Sequence, residues 1–132
     1  MVDENQLSGE TIGAAIDVHR ELGPGLLESI YREALAMELA TRGLTVNREL
    51  EVPILYKGRM LTNALRLDML VNGLIVVEVK SVEHIVAVHE AQLLSYLRLS
   101  RRRLGLLINF NSPVLTRSIR RVINGYGSVD EL

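Results

Sequence analysis

The chain has 132 residues, a formal net charge of −1 at pH 7 and a hydrophobic content of 48%, with no Trp and one Phe. This length suits one domain with an aliphatic core, and the absence of cysteine excludes disulfides, thiol catalysis and cysteine-ligated metals. No run of about 18 apolar residues occurs and the polar first ten residues do not resemble a signal peptide, so we expect a cytoplasmic protein without a membrane partner.

Two helices are predicted at the start of the chain. Ser8 is a candidate N-cap for a helix that runs to about Leu22, and Gly23-Pro24-Gly25 ends it. His19 lies on the apolar side of this helix, where a hydrogen-bonded core histidine is the usual finding. A second helix is predicted over about 27–42, with its apolar stripe at Ile30, Ala34, Leu35 and Leu39.

Three strands are predicted next, over about 44–55, 61–71 and 74–80. Asn72-Gly73, between the last two, is typical of a two-residue hairpin turn. Counting outward from that turn places Asp68 near Val77. Asp68 and Glu78 are then neighbours or diagonal, provided that a bulge or splaying of the strands turns them toward each other.

Glu78 and Lys80 share one face of the third strand because side chains alternate along a strand. Two carboxylates close together suit Mg²⁺ or Mn²⁺, which prefer oxygen ligands and keep several waters. A lysine beside them can orient or deprotonate an attacking water, or offset charge on a phosphate. The pattern therefore indicates a metal-dependent phosphodiesterase site. The alternative is a surface hairpin with one ion pair.

The rest of the chain predicts a helix over about 86–99 and an apolar strand over 104–110 that is central in the sheet. Residues 114–123 form either a last strand or a strand with a short helix. The order ααβββαβ(β) is typical of one α/β domain with a mixed sheet. We assign residues 1–132 to this domain, with its core over about 8–124.

The charge is unevenly distributed. Residues 1–55 carry ten acids and four arginines, whereas residues 97–123 carry seven arginines and no acid. The second region is a candidate phosphate-facing surface; the alternative is a solvated rim that balances the acidic half. Its candidate nucleic-acid-binding residues are Arg101, Arg102, Arg103, Arg117, Arg120 and Arg121.

Two helical pairs add polar groups. Glu28 and Tyr31 are three residues apart at the start of the second helix, where a carboxylate also stabilises the helix dipole. Gln92 and Tyr96 share a face of the third predicted helix, where they either complete core hydrogen bonds or line a site.

Taken together, these motifs are similar to those of the GxxExxY proteins, a small branch of the PD-(D/E)XK nuclease superfamily, over about residues 12–124. The matching segments are Val18-His19, Leu22 to Tyr31, Arg66 to Val71, Val77 to Lys80, His89 to Leu97 and Gly105 to Asn111. Arg101 departs from the family pattern, since a small turn residue, usually glycine, is expected there.

The resemblance implies a restriction-endonuclease-like fold with an αβββαβ core and a metal site at its splayed middle strands. It implies that Asp68 and Glu78 are metal ligands and that Lys80 is the catalytic lysine. Glu28 is the acidic group from the N-terminal helical region, with His19 as its competitor and the Val79 carbonyl as a further ligand. Gln92 and Tyr96 match the QxxxY element of RecB-like nucleases, and Tyr31 is assigned a supporting place.

The leading hypothesis is thus a Mg²⁺- or Mn²⁺-dependent nuclease that hydrolyses phosphodiester bonds of DNA or RNA. The alternative is a nuclease-like module that binds nucleic acid or a protein partner without cleaving. A third hypothesis is a structural oligomerisation module, which would leave Glu28, Asp68, Glu78 and Lys80 apart in space. Because one small domain lacks a separate substrate-binding domain, a homodimer, a protein partner or the arginine segment would have to supply specificity.

Overall fold

The computed structural model describes residues 3–125. The α/β class and the mixed sheet predicted from the sequence are confirmed there, while the predicted domain bounds extend beyond the described residues. The elements are α1 Glu4–Leu22, α2 Glu28–Thr41, β1 Val46–Val52, β2 Leu55–Tyr56, β3 Arg59–Met60, β4 Leu65–Val71, β5 Ile75–Lys80, α3 Ala87–Ser100, β6 Leu104–Asn109, a 3-10 helix Leu115–Ser118 and β7 Ile119–Ile123.

The main sheet has the strand order β1-β4-β5-β6-β7. Strands β5 and β6 are parallel and joined through α3, and the other neighbours are antiparallel. The strand predicted over 44–55 ends at Val52, and β2 and β3 form a separate two-stranded hairpin. Pro53 explains this difference, because proline has no N–H to donate to a continuing ladder.

The sheet is covered on both faces. Helices α1 and α2 pack on one face, over a cluster that includes Leu35, Met69 and Val77. Helix α3 packs on the other face, where Leu93 and Leu97 meet a second cluster. No helix within residues 3–125 is both long enough and apolar enough to cross a membrane.

The first helix begins earlier than the sequence predicted. Asp3 is its N-cap: the Asp3 carboxylate accepts from Gln6 N at 2.7 Å, and the Gln6 side chain accepts from Asp3 N. This reciprocal pair satisfies two amides of the first turn. The prediction of Ser8 as N-cap was therefore wrong. Ser8 is buried one turn inside α1, where its hydroxyl accepts from Arg121 Nη2 at 2.7 Å.

Candidate functional site

The hairpin between β4 and β5 places Asp68 directly across from Glu78. Val71 pairs with Ile75, so the connecting loop has three residues, 72–74, rather than the predicted two. One extra loop residue shifts every cross-strand partner by one position. Continued to residue 68, this register falls on Glu78 and not on Val77, which corrects the predicted pairing.

The two strands separate where these carboxylates lie. The β4–β5 ladder ends at the pair Met69 and Val77. Beyond it, Asp68 N donates to Glu78 Oε2 at 2.9 Å and Val79 N donates to Asp68 Oδ2 at 2.8 Å. Each carboxylate thus replaces a backbone carbonyl as the acceptor for the opposite strand. The splaying on which the sequence argument depended is present.

A change of side-chain alternation along β4 accompanies the separation. Leu65 and Leu67 pack in the cluster under α3, whereas Met69 and Val71 pack under α1 and α2. Across from Asp68, Glu49 of β1 has a φ of 48° and makes no ladder pair with it. Asp68 therefore stands at the point where the strand changes faces, which frees its side chain from the regular alternation.

Burial and proximity raise the pKa values of both carboxyl groups. Glu78 is 5% exposed. Burial, followed by the charge of Asp68, raises the pKa of Glu78 to about 8, although the Asp68 N–H and the charges of Lys80 and Arg32 oppose this rise. Burial is also the main cause that raises the pKa of Asp68. A nearby positive charge would therefore stabilise the ionised forms of both carboxyl groups.

Lys80 supplies part of that positive charge. It is the last residue of β5, and alternation places it on the same face as Glu78. Its charge lowers the pKa of both Asp68 and Glu78, so the ammonium group acts on the pair from close by. The structure thus brings together the three residues that the strand pattern had singled out.

Glu28 lies at the edge of this group. It is the first residue of α2, its Oε2 accepts from Ser81 N at 3.2 Å, and its Oε1 pairs with Arg32 at 3.5 Å. The charge of Glu28 contributes to the raised pKa of Asp68. Because Ser81 and Arg32 already hold its two oxygens, Glu28 is a neighbour of the pair that tethers α2 to the end of β5.

No three Asp, Glu or His side chains within residues 3–125 are grouped closely enough to surround a metal ion. The ligand set that combines Asp68, Glu78 and Glu28 stays a prediction; in this structure the Glu28 oxygens contact Ser81 N and Arg32. His19 is half-buried, and its Nε2 lies 2.7 Å from the Ser112 carbonyl oxygen.

The carboxylate pair nevertheless fits a divalent ion that keeps water ligands. Asp68 Oδ1 and Glu78 Oε1 accept no hydrogen bond from the part of the chain that the structure describes. Both are hard oxygen donors, and Mg²⁺ is usually held by one or two carboxylates with waters completing its shell. A cation between the two groups would also relieve the repulsion that raises their pKa values. Asp68 and Glu78 would hold the ion, and the Val79 carbonyl stays a prediction.

Arg32 belongs to the same charge network and was missed by the sequence argument. It lies one helical turn after Glu28, and its charge lowers the pKa of Asp68 and of Glu78. Its side chain is 27% exposed. The spacing of four residues from Glu28 was the available signal, but nothing in the sequence indicated that α2 presents this residue to the strands.

Tyr96 faces the pair from α3. Burial, followed by the charges of Glu78 and Asp68, raises the pKa of the half-buried Tyr96 phenol. Gln92, one turn earlier, is exposed and makes no hydrogen bond to the described residues. Tyr96 is thus beside the carboxylates, and Gln92 occupies the more open part of the same helix face.

Tyr31 lies in the core and braces a loop. Its ring stacks on Phe110 with centroids 4.6 Å apart, its hydroxyl donates to the Gly23 carbonyl, and it accepts from Leu26 N at 3.1 Å. The Leu26 carbonyl in turn accepts from Ser81 Oγ at 2.6 Å. Tyr31 therefore supports the site through the 23–26 loop and does not line it.

Asn109 is a second residue whose role the sequence did not reveal. It is 2% exposed and pairs with Lys80 across the β5–β6 ladder. Its side chain accepts from Val82 N at 3.0 Å and donates to the Val82 carbonyl at 2.9 Å. Asn109 thus holds the segment that follows Lys80, which keeps the end of β5 in place.

The predicted arginine surface is divided between the two ends of the sheet. Residues 101–103 precede β6, whose first residue pairs with Ile75, at the end opposite Lys80. Five residues of strand, about 16 Å, separate the two ends. Arg103 pairs with Glu4 at 3.4 Å, and Arg121 donates to Asn5 and Ser8 of α1. One continuous surface was therefore a wrong expectation, because β6 carries the chain from one end to the other.

Arg117 and Arg120 lie at the same end as Lys80. They line a cleft of about 190 Å³ together with Glu83, His84, Ile85, Asn109 and Ser118. The Arg117 side chain has no hydrogen-bond or ion-pair partner within residues 3–125. A role of these two arginines in binding phosphate stays a prediction.

A comparison with protein-family models decides the family. Residues 5–122 match the model of the PD-(D/E)XK nuclease superfamily. The chain belongs to this superfamily. The match covers the carboxylate pair, Lys80, α2, α3 and nearly all of α1, but it does not distinguish the GxxExxY branch, which stays a prediction. No curated protein and no solved structure shows significant similarity to the chain.

Membership points to nuclease activity, to nucleic acid as the class of partner and to divalent metal ions as the class of cofactor. The superfamily alone does not specify a substrate, because folds carry many functions.

Proposed function

We propose that the protein is a Mg²⁺- or Mn²⁺-dependent nuclease of the GxxExxY type that acts on DNA or RNA in the cytoplasm. The observation that supports this most is the reciprocal pairing of Asp68 and Glu78 at the point where β4 and β5 separate. A divalent ion held there supplies Lewis acidity for the phosphate and for an attacking water. The buried Glu78 and the half-buried Asp68 offer two hard oxygen ligands that suit such an ion.

Lys80 contributes to the reaction in this proposal. It can orient the water or take its proton, and it can stabilise the negative charge that develops on the phosphate. Arg32 and Tyr96 border the carboxylates, and we assign them to the positioning of the substrate phosphate. Arg117 and Arg120 bind a neighbouring phosphate of the same strand.

A second candidate is a module that binds nucleic acid or a protein partner without cleaving. One observation favours it: Ser81 and Arg32 hold the two Glu28 oxygens, so the acidic group at the start of α2 is engaged in contacts within the fold. The two candidates differ in turnover, and the second also admits a protein partner in place of nucleic acid.

Cleavage of labelled single- and double-stranded DNA and RNA, with Mn²⁺ or Mg²⁺, tests the proposal. The wild type should cleave at least one of these substrates, and Asp68→Asn and Glu78→Gln should each reduce the rate by roughly a hundredfold or more. Glu33 is an exposed residue of α2, so Glu33→Gln is the matched control and should keep full activity. Wild-type protein that binds nucleic acid without cleaving any substrate would favour the second candidate.

A further inference from the structure

The β2–β3 hairpin is an exposed apolar projection. Its side chains Leu55, Tyr56 and Met60 are 64%, 59% and 68% exposed, and Leu61 after it is 44% exposed. A two-residue turn at Lys57-Gly58, with positive φ at both residues, connects its short strands. Exposed apolar side chains that are grouped together mark interaction surfaces, whereas single exposed apolar residues are ordinary.

The hairpin projects from the end of the sheet that carries the carboxylate pair. It connects β1 to β4, whose last cross-strand pair is Val52 with Leu65. Because β4 and β5 are antiparallel, the start of β4 and the end of β5, where Lys80 lies, are at the same end of the sheet. Ile54 at the hairpin base packs into the cluster under α3, on the face to which Glu78 and Lys80 belong. The hairpin and the site thus border the same region.

The charge of the hairpin indicates which class of ligand it binds. Residues 53–67 contain two arginines, one lysine and no acid. Tyr56 pairs across the hairpin with Arg59, and Lys57 Nζ lies 5.4 Å from the centroid of the Tyr56 ring. Among the Tyr and Phe side chains within residues 3–125, Tyr56 alone is exposed. An exposed ring flanked by two cations matches a base next to a phosphate backbone, because bases stack on aromatic rings and phosphates bind cations.

We propose that the hairpin binds unpaired nucleotides of the substrate strand, with a base stacked on Tyr56 and the backbone held by Lys57 and Arg59. Leu55 and Met60, on the other hairpin face, contact neighbouring bases or sugars. A base inside a duplex has both of its faces covered, so the protein prefers single-stranded segments, or ends and junctions that expose them. This inference rests on the proposed function for its substrate class.

Equilibrium binding without metal separates this inference from the catalytic proposal. We would measure fluorescence anisotropy of a labelled 20-nucleotide thymidine strand, its RNA counterpart and a blunt duplex, all in a chelating buffer. Tyr56→Ala should weaken single-strand binding about tenfold or more, the effect of losing one stacked base. Tyr56→Phe should stay close to the wild type. Met37→Ala, at another exposed apolar residue on α2, is the matched control and should change nothing.

Lys57→Ala together with Arg59→Ala should reduce the slope of log affinity against log salt concentration by about 1.4 on single strands, because each phosphate contact contributes about 0.7.

Equal affinity of the wild type and Tyr56→Ala for single strands would overturn the proposal. A loss of duplex affinity in Tyr56→Ala as large as its loss of single-strand affinity would also overturn it. Two other results would also overturn it: concentration-dependent dimers abolished by Leu55→Ala, and hairpin-dependent binding to anionic lipid vesicles without binding to oligonucleotides. Absence of cleavage with the expected binding pattern would leave the hairpin inference standing and remove only the catalytic proposal.

Discussion

Asp68 and Glu78 form a reciprocal unit in which each carboxylate accepts a backbone N–H from the opposite strand. Alternation along the strand and the Asn-Gly turn predicted that the two residues are neighbours or diagonal, provided that a bulge or splaying turns them toward each other. The one-residue error in register arose because the turn sequence does not distinguish a two-residue from a three-residue loop. Arg32 and Asn109 could not be predicted, since their roles depend on how α2 and β6 pack.

The raised pKa of Glu78 makes stability depend on pH. Between the ordinary glutamate value of 4.5 and about 8, the folded protein keeps a proton on Glu78 that the unfolded chain has released. The free energy of unfolding should therefore fall as pH rises through this window, by at most about 1.4 kcal/mol per pH unit. Urea unfolding of metal-free protein at a series of pH values measures this slope.

Glu78→Gln should flatten the dependence of stability on pH, because its amide does not titrate. Glu33→Gln, exposed on α2, should retain the wild-type slope. A wild-type protein whose unfolding free energy is constant from pH 5 to about 8 would contradict the buried, coupled carboxylates.

Lys80 should affect turnover far more than metal binding. It shares a strand face with Glu78 but adds no ligand to a cation, so Lys80→Ala should keep Mn²⁺ affinity within a few-fold. Its cleavage rate should fall by roughly a hundredfold or more. Single-turnover cleavage with calorimetric Mn²⁺ titration separates the two effects, with Lys80→Arg as the variant that keeps the charge. Equal rates for the wild type and Lys80→Ala would remove Lys80 from the reaction.

At the level of elements, the sequence predicted helix and strand positions well and some local contacts poorly. The apolar stripe of α2 included Ile30, yet Ile30 is 41% exposed. Arg42, which ends α2, was assigned no role, although it binds Asp17 at 2.6 Å, Glu10 at 3.1 Å and Glu38 at 3.2 Å. Periodicity predicts which stripe of a helix is apolar, but not which neighbouring helix covers it.

Arg101, at the end of α3, adopts a backbone conformation that lowers the free energy of unfolding. It ends α3 in the left-handed conformation with a φ of 57°, at the position where the family pattern suggested glycine. Because glycine adopts this conformation without a Cβ clash, Arg101→Gly should raise the free energy of unfolding by about 0.5–1 kcal/mol. Thermal unfolding checks this.

Arg98→Gly, inside the last turn of α3, is the opposite control and should lower the free energy of unfolding by about 1 kcal/mol. If both substitutions destabilise the protein, the Arg101 side chain adds more to the free energy of unfolding than its backbone strain takes away.

At the level of the whole molecule, counting arginines could not reveal that they belong to two ends of the sheet. The chain passes from one end to the other along β6, so residues 101–103 and Arg117 are separated although they are close in sequence. Of the six candidate arginines, Arg117 and Arg120 are the two that lie toward the end of the sheet where Lys80 lies.

Salt dependence of nucleic-acid binding distinguishes the two arginine groups. Arg117→Ala with Arg120→Ala should reduce the slope of log affinity against log salt concentration by about 1.4 on single strands, at about 0.7 for each phosphate contact. Arg101→Ala with Arg102→Ala should leave the slope unchanged. The reverse result would place the binding surface at the end away from the carboxylate pair.

The central claim is that Asp68 and Glu78 together hold a divalent cation, and Mn²⁺ titration calorimetry tests it most directly. The wild type and Glu33→Gln should bind Mn²⁺ with the same affinity and release protons near neutral pH, because Glu78 must lose its proton to act as a ligand. Asp68→Asn and Glu78→Gln should each weaken binding at least about tenfold while thermal unfolding shows an intact fold. Equal Mn²⁺ affinity in the wild type, Asp68→Asn and Glu78→Gln would contradict the account.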